Sequence, residues 1–269
     1  MASKFWKRQT LRSLSHKNSR MERKVSEPGL IHIGTSGWHY QHWKGPFYPE
    51  DLSDERFLDY YMNSFETSEI NNTFYKLSDK KTFVHWRDTV PEDFIFSVKA
   101  SRYITHMKKL KDPDEPIAAF IHRVDVLGKK LGPILFQLPP KWNFNLERLK
   151  GFLDALPEDY RYAFEFRDTR WFAQQTEEVL AEKGAAFCIY DFEHRESPRS
   201  VTADFVYVRL HGPDGAYKGK YDEKTLSDWA EAFSSWASQE KEVFCYFDND
   251  EKAYAVQNAL KLKELLADK

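Results

Sequence analysis

Short segments of alternating hydrophobic and polar residues recur along the chain, and longer stretches with helical spacing separate them. The segment RYAFEFRDTRWF at 161–172 shows the pattern most clearly. In a strand, Glu165 and Arg167 share one face, while Phe164 and Phe166 share the other. Such a strand has one apolar face and one face that ends in an acid and a base. Charges at a strand end are typical of the mouth of a barrel active site.

Eight segments are predicted as strands from alternation or from a continuous apolar run. They lie at 30–35, 65–71, 94–100, 133–138, from 161 onward, 185–190, 205–210 and 243–247. Helical spacing predicts helices at 53–61, 80–89, 116–131, 146–156, 176–183, 226–239 and 253–266. Strands that are mostly followed by helices indicate a single-domain α/β fold, a (β/α)8 TIM-type barrel. A doubly wound sheet is the alternative, but the glycines at 34–45 lack the G-x-G-x-x-G spacing of a dinucleotide fold.

Charge is unevenly distributed along the 269 residues, although the net charge is only −2. Residues 1–27 contain eight Lys or Arg and two Glu, so this segment carries +6 and the remainder carries −8. We predict a disordered basic N-terminal arm at 1–27 and a barrel domain at 28–269. The arm is interpreted as a transit peptide, as a tether to nucleic acid or membrane, or as residues upstream of a start at Met21.

The composition favours a cytoplasmic protein. No run approaches the roughly 18 apolar residues of a spanning helix, and the start of the chain has no apolar signal-peptide core. The two cysteines, Cys188 and Cys245, lie in apolar strand-like runs and are predicted as reduced core thiols. We therefore expect no association with a membrane, and the oligomeric state stays open.

Polar side chains in the inward phase fall at the ends of six predicted strands, where a barrel places its pocket. This set contains Glu69, Asn71, Lys99, Gln137, Glu165, Arg167, Arg209, His211 and Asn249. Because an unpaired buried charge costs roughly several kcal/mol, Glu69 and Glu165 should pair with some of the basic residues. An ion network that merely closes the barrel end is the structural alternative.

Histidines add candidates for proton transfer. His106 follows the third predicted strand and His211 ends the seventh, so both are predicted in acid/base or phosphate-binding roles. His39 and His42 have a spacing that could ligate a metal, but the chain lacks HExxH and a Cys cluster. It also lacks a P-loop and a G-x-S-x-G elbow. We expect neither a metal nor a cofactor.

Seven strings of residues resemble the YecE-like family, a domain of unknown function numbered seventy-two. They are GTSGWHYQHWKGPFYP (34–49), SEINNTFYKL (68–77), FSVKASRYITHMKKL (96–110), LGPILFQLPPKW (131–142), FEFRDTRWF (164–172), VYVRLHGPDGAY (206–217) and VFCYFDND (243–250). The resemblance covers 30 to about 266 and implies a TIM-type barrel with no established activity. Asp168 replaces a His that is usual in relatives, and Asp248 replaces the first Asn of the family's YFNND.

These features favour an uncharacterised barrel protein with a polar, aromatic-lined pocket that binds a phosphorylated, sugar-like or nucleotide small molecule without a metal. Whether it is an enzyme stays open, and a hydrolase or lyase is the class that the side chains indicate. Predicted catalytic residues are Glu165, Glu69, Lys99, His106 and His211. Predicted ligand-binding residues are Asn71, Tyr75, Gln137, Arg167, Arg209, Asn249, Asp250, Trp38 and Trp171. A glycosidase is the more specific version, since two carboxylates flank the pocket.

Two other classes compete with an enzyme. A nucleic-acid-processing, endonuclease-like barrel, metal-dependent or lesion-binding, would bind phosphates through the basic arm and through Arg102, Lys108, Lys109 and Lys111. The net charge of −8 outside the arm makes nucleic acid the less favoured partner. A non-catalytic ligand sensor would share the pocket but form no product. The expected partner is a small anionic or sugar-like molecule.

Overall fold

Nine strands and seven α-helices form the part of the chain that the computed structural model describes, residues 29–267. The strands are β1 Ile31–Thr35, β2 Thr67–Ile70, β3 Ile95–Lys99, β4 Leu131–Leu138, β5 Tyr162–Phe166, β6 Ala186–Phe192, β7 Arg195–Glu196, β8 Phe205–Leu210 and β9 Glu242–Phe247. The helices are α1 Phe57–Tyr61, α2 Lys80–Thr89, α3 Asp114–Val124, α4 Leu146–Asp154, α5 Gln174–Glu182, α6 Glu223–Ala237 and α7 Tyr254–Ala267. The predicted basic arm at 1–27 lies outside the described residues.

Eight parallel strands form a nearly closed barrel in the order β1-β9-β8-β6-β5-β4-β3-β2. The prediction of a single-domain TIM-type barrel is therefore confirmed. The ninth strand, β7, was not predicted, and it pairs antiparallel with the end of β6. A two-residue strand offers too short an alternation to be recognised in the sequence.

The seam between β1 and β2 is closed by a side chain. The Tyr61 hydroxyl accepts a hydrogen bond from the Thr35 amide at 2.9 Å and donates to the Thr67 carbonyl at 3.0 Å. The Ser68 hydroxyl also donates across the seam, to the Thr35 carbonyl at 3.0 Å. Because backbone groups at a strand edge must be paired when they are buried, these contacts replace part of the missing ladder.

Helix boundaries follow local chemistry. Asp79, Asn145 and Asp222 cap α2, α4 and α6 by accepting a backbone N–H from the residue three positions later. The helix predicted at 116–131 is wrong at its end, because α3 stops at Val124 and a 3-10 helix, Asp125–Lys130, follows. Gly128 in that segment has φ of 57°, which an α-helix does not accommodate.

Two apolar layers hold the barrel together. The larger lies between the sheet and the helices, and a smaller cluster that includes Leu135, Cys188, Tyr207 and Tyr246 fills the interior. The hydroxyl of Tyr246 is hydrogen-bonded to Thr67 and Ser97, so the interior becomes polar toward one end. Both cysteines are buried and unpaired, as predicted.

None of the helices in the described part of the chain is long and apolar enough to span a membrane.

The β1–β2 seam leaves no room for a side chain at Gly34. A Cβ at this position would lie 2.2 Å from the Thr67 carbonyl oxygen, which is backbone and cannot move away. We expect Gly34→Ala to lower the free energy of unfolding by about 1–3 kcal/mol, measured by urea denaturation.

Gly151→Ala is the matched control, because Gly151 lies inside α4 and a Cβ there meets nothing within 4 Å. This change should raise the free energy of unfolding by about 0.5–1 kcal/mol. Equal stability of the two variants would show that the seam is not closely packed.

Candidate functional site

A fully buried guanidinium, that of Arg209, occupies the centre of the barrel end where the strands terminate. Its Nη2 and Nε lie 2.8 and 3.0 Å from the two carboxylate oxygens of Glu69, at the end of β2. Its Nη1 lies 2.8 Å from Glu165 Oε2, and its Nη2 lies 3.0 Å from Asp248 Oδ2. One cation thus bridges three carboxylates that come from β2, β5 and the residue after β9. The fork of five N–H donors in Arg permits this geometry.

Further donors saturate the two glutamates. Ser36 and Tyr207 each donate a hydroxyl to Glu69 at 2.7 Å, one to each oxygen. Arg167 Nε donates to the oxygen of Glu165 that Arg209 does not reach. Burial would raise the pKa of Glu165, but the guanidinium groups of Arg167 and Arg209 hold that pKa well below its ordinary value. Glu165 is therefore a paired anion.

The imidazole of His211 joins the two guanidinium groups to Asp248. Its Nε2 lies 3.0 Å from Arg167 Nη2 and 3.3 Å from Arg209 Nη1. Because guanidinium groups only donate, Nε2 is the acceptor, and these partners assign the ring proton to Nδ1. Nδ1 lies 3.0 Å from Asp248 Oδ2. Burial acts to raise the pKa of Asp248, but Arg209 and then His211 hold it below its ordinary value.

Arg167 forms one wall of an open recess of about 570 Å³. Its guanidinium carbon lies 3.9 Å from the ring centre of Phe192, a stacked cation–π contact. The recess is also lined by Gln137, Lys141, Arg195 and Tyr217. Arg167 Nη1 forms no hydrogen bond with the residues that the structure describes, so it offers donors to the recess.

Lys99, at the end of β3, is almost buried and has no counterion. Only 8% of the residue is exposed, and its ammonium forms no hydrogen bond or ion pair with any described residue. It lies 4.5 Å above the ring of Phe74. Burial, followed by the positive charge of Arg209, lowers the pKa of Lys99 to about 8. Lys130 is equally buried, but its ammonium donates to the carbonyls of Arg87 and Val90 at 2.7 Å each.

His106 lies against the same Phe74 ring, with the ring centres 5.0 Å apart. It belongs to a single π-helical turn, Tyr103–Met107, in the segment that follows β3. Burial and the nearby charges of Lys99 and Arg102 lower its pKa to about 4. His106 is therefore a neutral imidazole at pH 7.

The remaining predicted residues lie around or outside this group. Asn71, Tyr75 and Trp38 line a neighbouring cleft, and Gln137 lines the recess. Trp171 is buried on the outer side of the barrel, where it stacks on Phe166 and donates its indole N–H to the Trp142 carbonyl. The sequence predicts Trp171 as a ligand-binding residue, because it follows the strand-end charges. In the structure it lies in the core.

Two further predicted residues, both after β9, form hydrogen bonds with segments beside the network. Asn249 is buried and donates to Gly219 and Asn258. The carbonyl of Asp250 contacts His42 at 2.6 Å. The described residues hold no group of three or more His, Cys, Asp or Glu that could ligate a metal ion.

Several residues of the group were missed from the sequence. Asp248 follows β9 directly, at a position where the family that the sequence resembles has Asn. It is not among the predicted site residues. Tyr207 shares the inward phase with Arg209, so alternation contained that signal. Ser36 and Phe74 lie outside the strands, where no period indicates direction. The expectation that both glutamates are paired is met by Arg167 and Arg209, without Lys99.

Comparisons with known proteins cover nearly the whole described barrel. A family model described as "Protein of unknown function DUF72" matches residues 32–269. The UPF0759 protein YunF of Bacillus subtilis (strain 168) is 26% identical over 270 residues, which cover 88% of this chain and 95% of YunF. The UPF0759 protein YecE of Escherichia coli (strain K12) is 29% identical over 156 residues, 58% of this chain and 55% of YecE. The crystal structure of a DUF72 family protein from Thermotoga maritima MSB8 has a TM-score of 0.81 and 31% identity, with 88% of this chain and 99% of that chain covered.

Removal of the unpaired ammonium should stabilise the fold. The difference between 10.5 and about 8 in the pKa of Lys99 corresponds to about 3 kcal/mol of destabilisation when the lysine is protonated. We expect Lys99→Met to raise the free energy of unfolding at pH 7 by up to about 3 kcal/mol. Lys130→Met should lower it by about 1–3 kcal/mol, because two buried carbonyls lose their donor.

The pH dependence has a defined sign. Between pH 8 and 10.5 the unfolded chain binds more protons at Lys99 than the folded protein, so the stability of the wild type rises with pH in this window. The advantage of Lys99→Met should shrink accordingly in urea denaturation at pH 7, 9 and 10. A destabilised Lys99→Met variant would mean that this ammonium has a partner.

Proposed function

The chain belongs to the DUF72 family of proteins of unknown function, and from that premise we propose that it is an enzyme acting on a small phosphorylated or sugar-like molecule at the barrel end where the strands terminate. The observation that carries this proposal is the lone ammonium of Lys99, which is nearly buried and lacks a counterion among the described residues. A fold gains no stability from such a group. A lysine held in this way is a group that an enzyme uses for proton transfer.

The lowered pKa of Lys99 suits that role. With a pKa of about 8, an appreciable share of Lys99 is the free amine near neutral pH. A group of this kind can both accept and return a proton at the working pH of an enzyme. The neutral imidazole of His106, on the same Phe74 ring, has a pKa of about 4, too low for it to take up a proton near pH 7, so in this proposal it is a hydrogen-bonding group beside Lys99.

The glutamates have a different role in this proposal from the one that their position in the sequence indicates. Glu165 and Glu69 have each oxygen engaged by a donor from Arg, Ser or Tyr. They act as positioning residues that fix Arg209 and Arg167. His211 belongs to the same positioning layer, because its Nε2 accepts from both guanidinium groups.

Unmet hydrogen-bond donors support a ligand that is rich in acceptors. Lys99 has three N–H donors and Arg167 has a free Nη1, and acceptors among the described residues do not satisfy them. Phosphate oxygens and sugar hydroxyls are acceptor-rich groups that such donors bind. Lys141 and Arg195 in the lining of the recess add positive charge for an anionic ligand, which Asp168 and Glu193 in the same lining partly offset.

We expect a screen of sugar phosphates, other phosphoesters and glycosides to find a ligand that raises the melting temperature and is turned over. Lys99→Met should lower the turnover at least about 100-fold, since that is the usual contribution of a proton-transfer group. Lys150→Met, an exposed lysine on α4, is the control and should retain the wild-type rate.

Wild-type turnover by Lys99→Met would contradict the role of Lys99. A ligand that raises the melting temperature but yields no product in mass spectrometry would contradict an enzyme and indicate a ligand sensor.

A further inference from the structure

A second recess lies beside the charged network, and its chemistry is different. It has a volume of about 520 Å³ and lies between the loop after β1, the end of β2 and α2. It is lined by Trp38, Tyr40, Asn71, Asn72, Tyr75 and Trp86, among others. No Lys, Arg, Asp or Glu is among its lining residues. The group that fits this aromatic cleft is therefore uncharged and has flat or apolar faces.

The aromatic walls are held in place. Trp38 is buried, and its ring meets the edge of Trp86 with the ring centres 5.2 Å apart. The hydroxyl of Tyr40 donates to the Ser36 carbonyl at 2.7 Å. Burial raises the pKa of that hydroxyl, and the charges of Asp248 and Asp250 add to the effect. Tyr40 is thus a neutral wall of the cleft, already oriented without a ligand.

Two groups of the aromatic cleft are available to a ligand. Oδ1 of Asn71 is buried and accepts no hydrogen bond in the described structure. A buried acceptor without a donor costs about 1–3 kcal/mol. Because this oxygen is covered, the Asn71 amide must turn about its last side-chain torsion to present it to a ligand N–H. Tyr75 is 76% exposed, and its ring meets the edge of Phe74 at 5.1 Å between the ring centres. An exposed ring at the mouth of a recess provides a stacking surface.

We propose that the aromatic cleft binds the amino-bearing base of a nucleoside or nucleotide, with Tyr75 as a stacking surface and Asn71 Oδ1 as acceptor for the amino group. A sugar ring would need several hydrogen-bond partners, whereas this cleft offers mainly ring faces, two amides and the imidazole of His39. A planar base uses its faces for stacking and one edge for hydrogen bonds.

The same turn connects the aromatic cleft to Lys99. The 3-10 turn Asn72–Phe74 carries Asn72 on the cleft side, while the ring of Phe74 lies under the Lys99 ammonium. Thr73 fixes this turn by donating to the Lys99 carbonyl at 2.6 Å. A base in the cleft can therefore extend its ribose and phosphate toward Lys99. This orientation rests on the proposed function, whereas the binding of the base does not.

Calorimetric titration of the full chain with adenosine, purine riboside and methyl β-glucopyranoside tests the inference. Purine riboside has the same rings as adenosine but lacks the amino group. We expect the wild type to bind adenosine about tenfold more tightly than purine riboside, and Asn71→Leu to lose this preference. Tyr75→Ala should weaken both nucleosides about tenfold. Tyr103→Ala, an aromatic that is 46% exposed and lies outside the cleft, is the control and should bind like the wild type.

Three results would overturn the inference. They are no binding of adenosine by the wild type at millimolar concentration, unchanged binding by both Asn71→Leu and Tyr75→Ala, and binding of the glucoside with the same dependence on these residues. Lys99→Met should still bind adenosine. Adenosine binding by Lys99→Met therefore tests the cleft, and turnover by the same variant tests the proposed catalytic role of Lys99. Either claim can fail without the other.

Discussion

The structure depends on one buried cation, the guanidinium of Arg209, which is shared by Glu69, Glu165 and Asp248. A full charge inside a protein costs several kcal/mol unless well-placed counterions and hydrogen bonds replace its water. Here the counterions come from β2, β5 and the residue after β9, while the cation comes from β8. The pairing therefore connects strands around the barrel at the end where their polar side chains meet. The apolar interior, with Tyr207 and Tyr246 at its polar limit, supports this layer from below.

This arrangement determines which groups remain for chemistry. Arg209 and Arg167 already engage the carboxylates, so Lys99 reaches the same barrel end without a counterion. Among residues 29–267, its ammonium is offset only by the face of Phe74 and by carboxylates too distant to form ion pairs. The opposite side of that aromatic turn faces an uncharged cleft. The barrel end thus combines a saturated ion layer, a nearly buried amine and a ring-lined recess, and each can be altered separately.

Strand periodicity predicted the barrel and most of the charged group, because the last inward residues of parallel strands must meet at one end. Glu69, Lys99, Glu165 and Arg209 were found in this way. Strand periodicity gives no direction for side chains that lie outside the strands. Trp171 follows a charged strand end but turns into the core, and Asp248 lies one residue beyond β9. Alternation also does not predict which basic residue pairs with each glutamate, because it gives the face of a side chain and not its distance from other side chains.

The free energy of unfolding of Arg209→Met, measured from pH 7 down to pH 4, tests the central claim most directly. Methionine keeps an apolar side chain in the site but leaves two fully buried carboxylates, and the partly exposed one of Asp248, without their shared cation. The account predicts a loss of about 3–5 kcal/mol at pH 7. Protonation should remove the unpaired charges of Glu165 and Asp248, so the loss should shrink toward pH 4. A loss below about 1 kcal/mol at every pH would contradict a barrel end that depends on Arg209.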